Sequence, residues 1–280
     1  MMRSKIVRWP KVEDIIISTF REKDCLVTKA CVFVGPTRLS RIPRHVHVFA
    51  PAALGSVFRA IDEGYRLICL IDGYFGNTPS VWHKEILFAL KCGVTVCGSS
   101  SIGALRAAEL HSFGMLGFGW VYRAFRRGVL QDDDEICVLH AVPELNFAPL
   151  SEAMVNIRYS LKMMRRRGLI SRDIEMRIAS RLKEHHFSKR VLPAVRDAFE
   201  REFGKQGAAK FNLYQRNTVD IKAQDAELML KAVRSLPVTP SNNGWEFPLT
   251  THWLQQFVAQ DADIPPICRW RPTREGTEST

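Results

Sequence analysis

The chain has 280 residues, of which 46% are hydrophobic and 25% charged, so it is long enough to bury a substantial core without a partner chain. Its apolar runs are far shorter than the roughly 20 residues that a membrane-spanning helix requires, so no membrane association is predicted. The amino terminus is basic but includes Glu13 and Asp14 and lacks a continuous apolar stretch. We therefore expect no export signal and a cytoplasmic protein.

The cysteines form no CxxC pair, and most of them lie within apolar segments. In such segments cysteine behaves as a small hydrophobic residue, and the odd number of cysteines argues against a disulfide framework. Buried, reduced thiols are therefore expected. Neither a metal ion nor a cofactor is predicted.

The formal net charge of +11 is unevenly distributed along the chain. Between Ser160 and Arg190 basic residues far outnumber acids, and they include the run Arg165, Arg166 and Arg167. This segment is either a solvated helical face or a surface that steers an acidic partner towards the protein. No nucleic-acid-binding signature accompanies the charge, so nucleic acid is not the expected partner.

The predicted elements begin after residue 29, because the residues before it show mixed charge and weak periodicity. CVFVG, which starts at Cys31, and HVHVFA, which starts at His45, are both typical of strands. Pro51 is then predicted to open a helix whose apolar stripe runs from Leu54 to Ile61.

Two strand-to-helix passages follow each other between Leu67 and Leu110. The strand LICLIDG ends at Asp72, and the next helix is predicted to open where threonine precedes Pro79, a favourable helix start. The strand VTVCG leads through the serines Ser99 to Ser101 into a second helix. Alternating short strands and helices indicate a parallel sheet, in which ligands bind at the carboxyl ends of the strands.

The rest of the chain is predicted to be mainly helical. GMLGFGWVYRAFRRGVL is interpreted as a helix, ICVLHA as a β-like run, and the segment from residue 150 as a series of helices, the last from Val219 to Leu236. The predicted fold class is therefore α/β, a parallel-type sheet flanked by helices with an all-helical C-terminal part. The predicted division is a 1–29 N-terminal extension, a 30–149 α/β core, a 150–236 helical part that completes the core, and a 237–280 C-terminal segment that is partly disordered.

The candidate nucleophile is Ser101, which follows a strand and precedes a helix. A nucleophile elbow needs small residues two places on either side of the serine, and Ser99 and Gly103 satisfy this requirement. The start of the helix also directs backbone N–H groups, including that of Ile102, towards an oxyanion beside the hydroxyl. Two alternatives remain open: a serine that only caps the helix, and a phosphate site formed by the same N–H groups.

A serine nucleophile needs a base, and the candidate is Lys84. On the predicted helix, apolar neighbours such as Trp82 and Phe88 would exclude water from its amine, and burial lowers the pKa of a lysine. The alternative is an exposed helical lysine, which is the usual state of this residue. Ser80 lies four residues before Lys84 on the same predicted helix and is an alternative nucleophile.

Between Val32 and about Leu169 the sequence resembles the TfuA-like core domain. The motifs that carry the resemblance are, in order, VFVGPT, LIDGYF, PSVWHKEIL, SIGALRAAEL, FGM, DDDE and LSEAMVNIR. The resemblance implies an accessory protein for a YcaO-type cyclodehydratase in peptide backbone thioamidation, during the biosynthesis of ribosomal peptide natural products. It further implies that the protein hydrolyses a ThiS-like thiocarboxylated sulfur carrier and so releases sulfide for modification of the precursor peptide.

The family is described as using a Ser-Lys pair, which maps onto Ser101 and Lys84. Support for the site, including the oxyanion, is assigned to Ile102, Gly103, Gly98, Asp72 and Arg106. A substrate backbone is expected to approach closely at Gly73, Gly98 and Gly103. The sequence departs from the family pattern at Thr37, where serine is common, and at Ser99, Ser100 and Ile102, where Ala, Ala and Met are usual. The alternative function is a non-catalytic adaptor that recruits the peptide or the sulfur carrier to YcaO.

Overall fold

The computed structural model describes residues 29–76, 78–233 and 236. Most of the predicted N-terminal extension and all of the predicted C-terminal segment therefore lie outside the described residues, and the proposed division of the chain stays a prediction. Among the helices of the described part, none combines the length and the hydropathy that crossing a bilayer requires.

One sheet of five parallel strands forms the centre of the fold, in the order β2-β1-β3-β4-β5. The strands are β1 Ala30–Phe33, β2 Val46–Phe49, β3 Leu67–Leu70, β4 Thr95–Ser99 and β5 Leu116–Phe118. The strand order reverses direction between β1 and β3, and in sheets of this kind ligands bind in the crevice outside the carboxyl ends at that point. A site is therefore expected at the loops after β1 and β3.

Helices cover both faces of the sheet. They are α1 Ser56–Asp62, α2 His83–Lys91, α3 Ile102–Leu110, α4 Gly119–Arg126, α5 Met154–Arg166, α6 Arg172–Lys183, α7 Leu192–Phe203, α8 Gly207–Arg216 and α9 Ile221–Ala232. Helices α1 to α4 bury their apolar sides against the sheet face that carries Cys31, Ile68 and Val96. The predicted α/β fold class, with a helical C-terminal part, is confirmed.

The last described helix, α9, returns to the sheet from the helical part of the chain. Its Ala226 and Met229 pack on the second face of the sheet, against side chains such as Val32 and Cys69. Helices α5 to α8 form a separate core around buried residues such as Phe199. The helical part thus covers the second face of the sheet through α9.

Two helices begin later than predicted. Helix α1 begins at Ser56 rather than Pro51, because Ala52 and Ala53 form bridges with Gly73 and Ser80. The bridge between Ala53 and Ser80 keeps Ser80 extended, and the carbonyl of Pro79 accepts a hydrogen bond from the N–H of Leu54. Helix α2 therefore begins at His83, and Ser80 does not lie on it. The predicted helical spacing between Ser80 and Lys84 is wrong.

Three further predictions are corrected. The helix predicted across GMLGFGW is divided into β5 and α4, and Gly119 at the junction has a φ of +92° that favours glycine. ICVLHA forms no strand; its only bridge pairs His140 with Pro149. Helix α8, which lies just before the last helix of the prediction, is not among the helices that the sequence predicts.

The described cysteines behave as the sequence predicts. Cys31, Cys69, Cys92, Cys97 and Cys137 are free and buried, whereas Cys25 and Cys268 lie outside the described residues. Burial raises the pKa of the Cys137 thiol to about 12, so this thiol stays protonated and unreactive near neutral pH.

Candidate active site

Asp72 follows β3. It connects the loop after β3 to the loop after β1, at the point where the strand order reverses. Its carboxylate is buried, and its Oδ2 accepts hydrogen bonds from the N–H groups of Gly35 (2.9 Å) and Thr37 (2.8 Å). Its Oδ1 accepts a third hydrogen bond, of 2.7 Å, from the Thr37 hydroxyl. Hydrogen bonds to a carboxylate are stronger than those between neutral groups, so Asp72 holds the loop after β1 in place.

Ser100 stands between β4 and α3 in a conformation that is unusual for a residue with a side chain. Its φ is +69°, and it is fully buried. Its hydroxyl lies 3.3 Å from that of Thr37. A carboxylate only accepts, so Thr37 gives its one hydroxyl proton to Asp72 and must accept the proton of Ser100. The hydrogen-bond chain therefore runs from Ser100 through Thr37 to Asp72.

Ser101, the predicted nucleophile, is the residue that precedes α3. Its side chain makes no capping hydrogen bond, so it does not act as the simple helix cap that was the alternative interpretation. It is 8% exposed and lines a small cavity of about 40 Å³ together with His140 and Phe187. None of its described hydrogen bonds involves Lys84; they join its backbone to neighbouring residues of the same turn.

Gly98 and Gly103 serve close packing within the protein. A Cβ atom at Gly98 would lie 2.0 Å from the carbonyl oxygen of Gly103, and a Cβ atom at Gly103 would lie 1.8 Å from that of Leu70. A side chain at Gly73 would meet Ile102 at 2.7 Å. The space that a side chain would take at these glycines is filled by the protein itself, and the approach of a substrate backbone there stays a prediction.

Lys84 is the second residue of α2 and is half-buried, so the deep burial that the pattern predicts is not reached. The start of its helix is held by the buried Glu85, whose carboxylate accepts from the N–H groups of Trp82 (2.7 Å) and Val57 (3.0 Å). Burial raises the pKa of Glu85 to about 7 despite these donors.

The other predicted supports lie around the same helices. Arg106, on α3, donates to the carbonyl of Val81 (3.1 Å) and to Glu109 (2.8 Å). Its guanidinium therefore contacts the segment that directly precedes α2. The hydroxyl oxygen of Ser80 is buried and has no hydrogen-bond partner among the described residues. Of the predicted residues outside the turn from Ser99 to Ser101, here called the serine turn, Asp72 is connected to this turn by side-chain hydrogen bonds, through Thr37 and Ser100.

Lys222, on α9, was missed by sequence reasoning. It is only 4% exposed, its Nζ donates to the carbonyl of Ile136 (2.9 Å), and the same Nζ lies 3.9 Å from Asp72 Oδ1. No local pattern distinguishes it from other helical lysines. Only the return of α9 to the sheet brings this amine to the carboxyl ends of the strands.

A cavity of about 370 Å³ lies beside Thr37 and Lys222. Arg38, Glu152 and Asp220 also line it. Burial, reinforced by the charge of Asp220, raises the pKa of Glu152. The larger and the smaller cavity share the lining residues Pro36 and Val138, so the two spaces adjoin.

Part of the basic segment between Ser160 and Arg190 is engaged in internal ion pairs. Arg190 is fully buried and donates to Asp134, which also pairs with Lys183. Burial alone would raise the pKa of Asp134, but the hydrogen bonds from Lys183 and Arg190 outweigh it and lower the pKa. Arg165 pairs with Glu175. The segment is therefore not exposed as a whole, but Arg166 and Arg167 are exposed, and a role of this surface in steering a partner stays a prediction.

Comparison with known proteins agrees with the motifs of the sequence. Residues 72–191 match the model of the family described as TfuA-like protein. None of the curated proteins matches the chain. The matched range begins at Asp72 and includes Lys84 and the serine turn, whereas Lys222 lies beyond its end. Over this range, which is less than half of the chain, the protein is similar to TfuA-like proteins.

Proposed function

We propose that the protein is a hydrolase that supports YcaO-dependent backbone thioamidation in the biosynthesis of ribosomal peptide natural products. It hydrolyses the thiocarboxylate of a ThiS-like sulfur carrier in the cytoplasm and provides the sulfide that replaces an amide oxygen of the precursor peptide. The observation that carries the proposal is the serine turn at the carboxyl end of β4, where the side chain of Ser101 does not cap α3 and lines a cavity.

In the proposed reaction, Ser101 Oγ attacks the carbonyl carbon of the thiocarboxylate. The C–S bond breaks, hydrosulfide leaves with the serine proton, and water then hydrolyses the serine ester to a carboxylate and regenerates the hydroxyl. The N-terminus of α3, including the N–H of Ile102, favours the negative charge of the intermediate. The chemistry is ordinary acyl transfer with sulfide as the leaving group.

Lys84 is the proposed base, and Ser80 is the alternative nucleophile. Because the described hydrogen bonds of Ser101 do not reach Lys84, the proposal requires that the two side chains approach each other when substrate binds. Catalytic hydrogen bonds often tighten in this way only in the substrate complex.

The test measures sulfide released from a purified thiocarboxylated carrier with no YcaO present. The parent protein should release sulfide, and Ser101→Ala should reduce the rate at least about 100-fold. Ser112→Ala, a change at an exposed serine, is the matched control and should leave the rate unchanged. A parent protein that releases no sulfide contradicts the hydrolase, and full activity in Ser101→Ala moves the reaction to another serine.

A second candidate function, the non-catalytic adaptor, is favoured by one surface feature. Exposed apolar side chains recur on the loop before α5, namely Leu139, Val142, Leu145 and Leu150. Exposed apolar patches often mark protein interaction sites. An adaptor would increase the affinity of YcaO for the peptide or the carrier without releasing sulfide by itself, so the same assay separates the two functions.

A further inference from the structure

We propose that the 370 Å³ cavity beside Lys222 is a binding site for the anionic terminal group, a carboxylate or thiocarboxylate, of an extended peptide. The thiocarboxylate form of this ligand rests on the proposed function. Binding of the carboxylate form does not, because it requires no hydrolysis.

The unfilled hydrogen-bonding capacity of Lys222 is the first support. Lys222 lines the cavity and its amine is buried, and the one hydrogen-bond acceptor of that amine among the described residues is the carbonyl of Ile136. An ammonium group has further N–H donors, and leaving them without acceptors in a buried position is costly. A ligand that brings acceptor atoms into the cavity would remove this cost.

Asp72 does not meet that need. Its oxygens already accept from Gly35 and from both the N–H and the hydroxyl of Thr37. Its distance of 3.9 Å from Lys222 Nζ is too long for a hydrogen bond. Asp72 therefore helps to balance the charge of Lys222 while leaving its N–H donors for a ligand.

The cavity suits the end of a peptide in size and in polarity. Its volume of about 370 Å³ lies within the range of roughly 300–1,000 Å³ found for ligand pockets. Arg38 adds a second cation to the lining, whereas Glu152 and Asp220 add acceptors. The end of a peptide chain presents both an anion that accepts hydrogen bonds and backbone N–H groups that donate them.

The position of the cavity links it to the serine turn. Thr37 lines the cavity and accepts the hydrogen bond of Ser100, while Ser101 lines the smaller adjoining cavity. The larger cavity also lies where the strand order reverses, beside the loop after β1. A terminal group held at Lys222 would thus lie in the cavity that adjoins the one lined by Ser101, with Pro36 and Val138 common to both linings.

The test uses a synthetic N-acetylated tetraglycine peptide with a free carboxylate and the same peptide as its C-terminal amide, in titration calorimetry with the full chain. The parent should bind the carboxylate peptide at least about 10-fold more tightly than the amide, since a hydrogen bond to a charged group contributes about 1.5–3 kcal/mol. Lys222→Met should abolish this preference. Lys231→Met, at an exposed position of the same helix, should retain it.

Equal affinity of the parent for the two peptides overturns the proposal, and so does a preference that survives in Lys222→Met. If Lys222→Met does not fold, carbodiimide coupling of the carboxylate peptide to the parent provides the second measurement. Coupling at Lys222, located by mass spectrometry, supports the site, and coupling only elsewhere overturns it. Selective binding without sulfide release rejects the hydrolase alone, whereas sulfide release without selective binding rejects this site alone.

Discussion

The hydroxyl of Ser100 donates to the hydroxyl of Thr37 over 3.3 Å, and this direction is imposed by the Asp72 carboxylate, which takes the Thr37 proton. The contact joins the turn after β4 to the loop after β1. Both hydroxyls are buried, and among the described residues the Ser100 hydroxyl depends on Thr37 for its partner, whereas the Thr37 hydroxyl also has Asp72. The conformation of the serine turn is therefore tied to residues more than sixty positions earlier in the chain.

Thr37→Val tests this chain of hydroxyls. Valine keeps the shape of threonine but leaves the Ser100 hydroxyl without its acceptor and removes one donor to Asp72. We expect a loss of about 1–3 kcal/mol in the free energy of unfolding, measured by urea denaturation. Thr37→Ser keeps the hydroxyl and should lose clearly less. A serine variant that is as unstable as the valine variant would argue against the hydrogen-bond chain.

The left-handed conformation of Ser100 gives a second prediction, which compares two substitutions that both remove the hydroxyl. Glycine adopts a φ of +69° without strain, whereas alanine keeps the steric cost of a Cβ atom. Ser100→Gly should therefore be more stable than Ser100→Ala by roughly 1 kcal/mol in the same denaturation experiment. Equal stability, or a more stable alanine variant, would mean that the turn relaxes out of this conformation.

Lys84→Arg tests the proposed base. A guanidinium group keeps its proton throughout the working pH range, so it cannot accept the proton of a serine. Sulfide release by this variant should fall at least about 100-fold. Lys91→Arg, at the end of the same helix, is the control and should retain the parent rate. Ordinary turnover by Lys84→Arg would remove Lys84 from the mechanism.

The buried carboxyl group of Glu85 should make the free energy of unfolding depend on pH. Burial raises the pKa of this carboxyl group from near 4.5 to about 7 in the folded protein. Between these values the folded state binds more protons than the unfolded state, so this contribution to stability is present at acid pH and is lost as pH rises through about 7.

Glu85→Gln removes this titration. Between pH 5 and pH 7.5 the free energy of unfolding of the parent should fall relative to that of the variant by on the order of 2 kcal/mol. Glu144→Gln, at an exposed position, should follow the parent across the same range. Parallel pH profiles for the parent and Glu85→Gln would show that Glu85 is ionised in the folded protein at acid pH.

The strands β1 to β4 and the serine turn could be predicted because their signals are local. The apolar runs are bounded by turn-forming residues such as Gly35, Pro51, Asp72 and Gly98, and each run is short enough to be a buried strand. The helix starts were wrong where a long-range contact overrode a local preference. The bridges of Ala52 and Ala53 to Gly73 and Ser80 keep the segments before α1 and α2 extended. The local sequence at Pro51 and Pro79 does not indicate these bridges.

The composition of the site was harder to predict than its position. Asp72 follows its strand directly, and the place of the serine turn at a strand end could be read from the sequence. Lys222 arrives on a helix from the other end of the described chain, and charge alone gave no reason to choose it. Arg190 illustrates the same limit, because a basic residue in a basic segment proved to be buried against Asp134.

The return of α9 to the sheet has a consequence for synthesis on the ribosome. All five strands emerge well before Ile221, so the apolar sheet face that carries Val32 and Cys69 waits for its cover until α9 has left the exit tunnel. A nascent chain stalled before that point exposes this face to aggregation and lacks the Lys222 amine. The sheet is thus covered, and the Lys222 amine reaches the strand ends, at the same time, when α9 packs on the sheet.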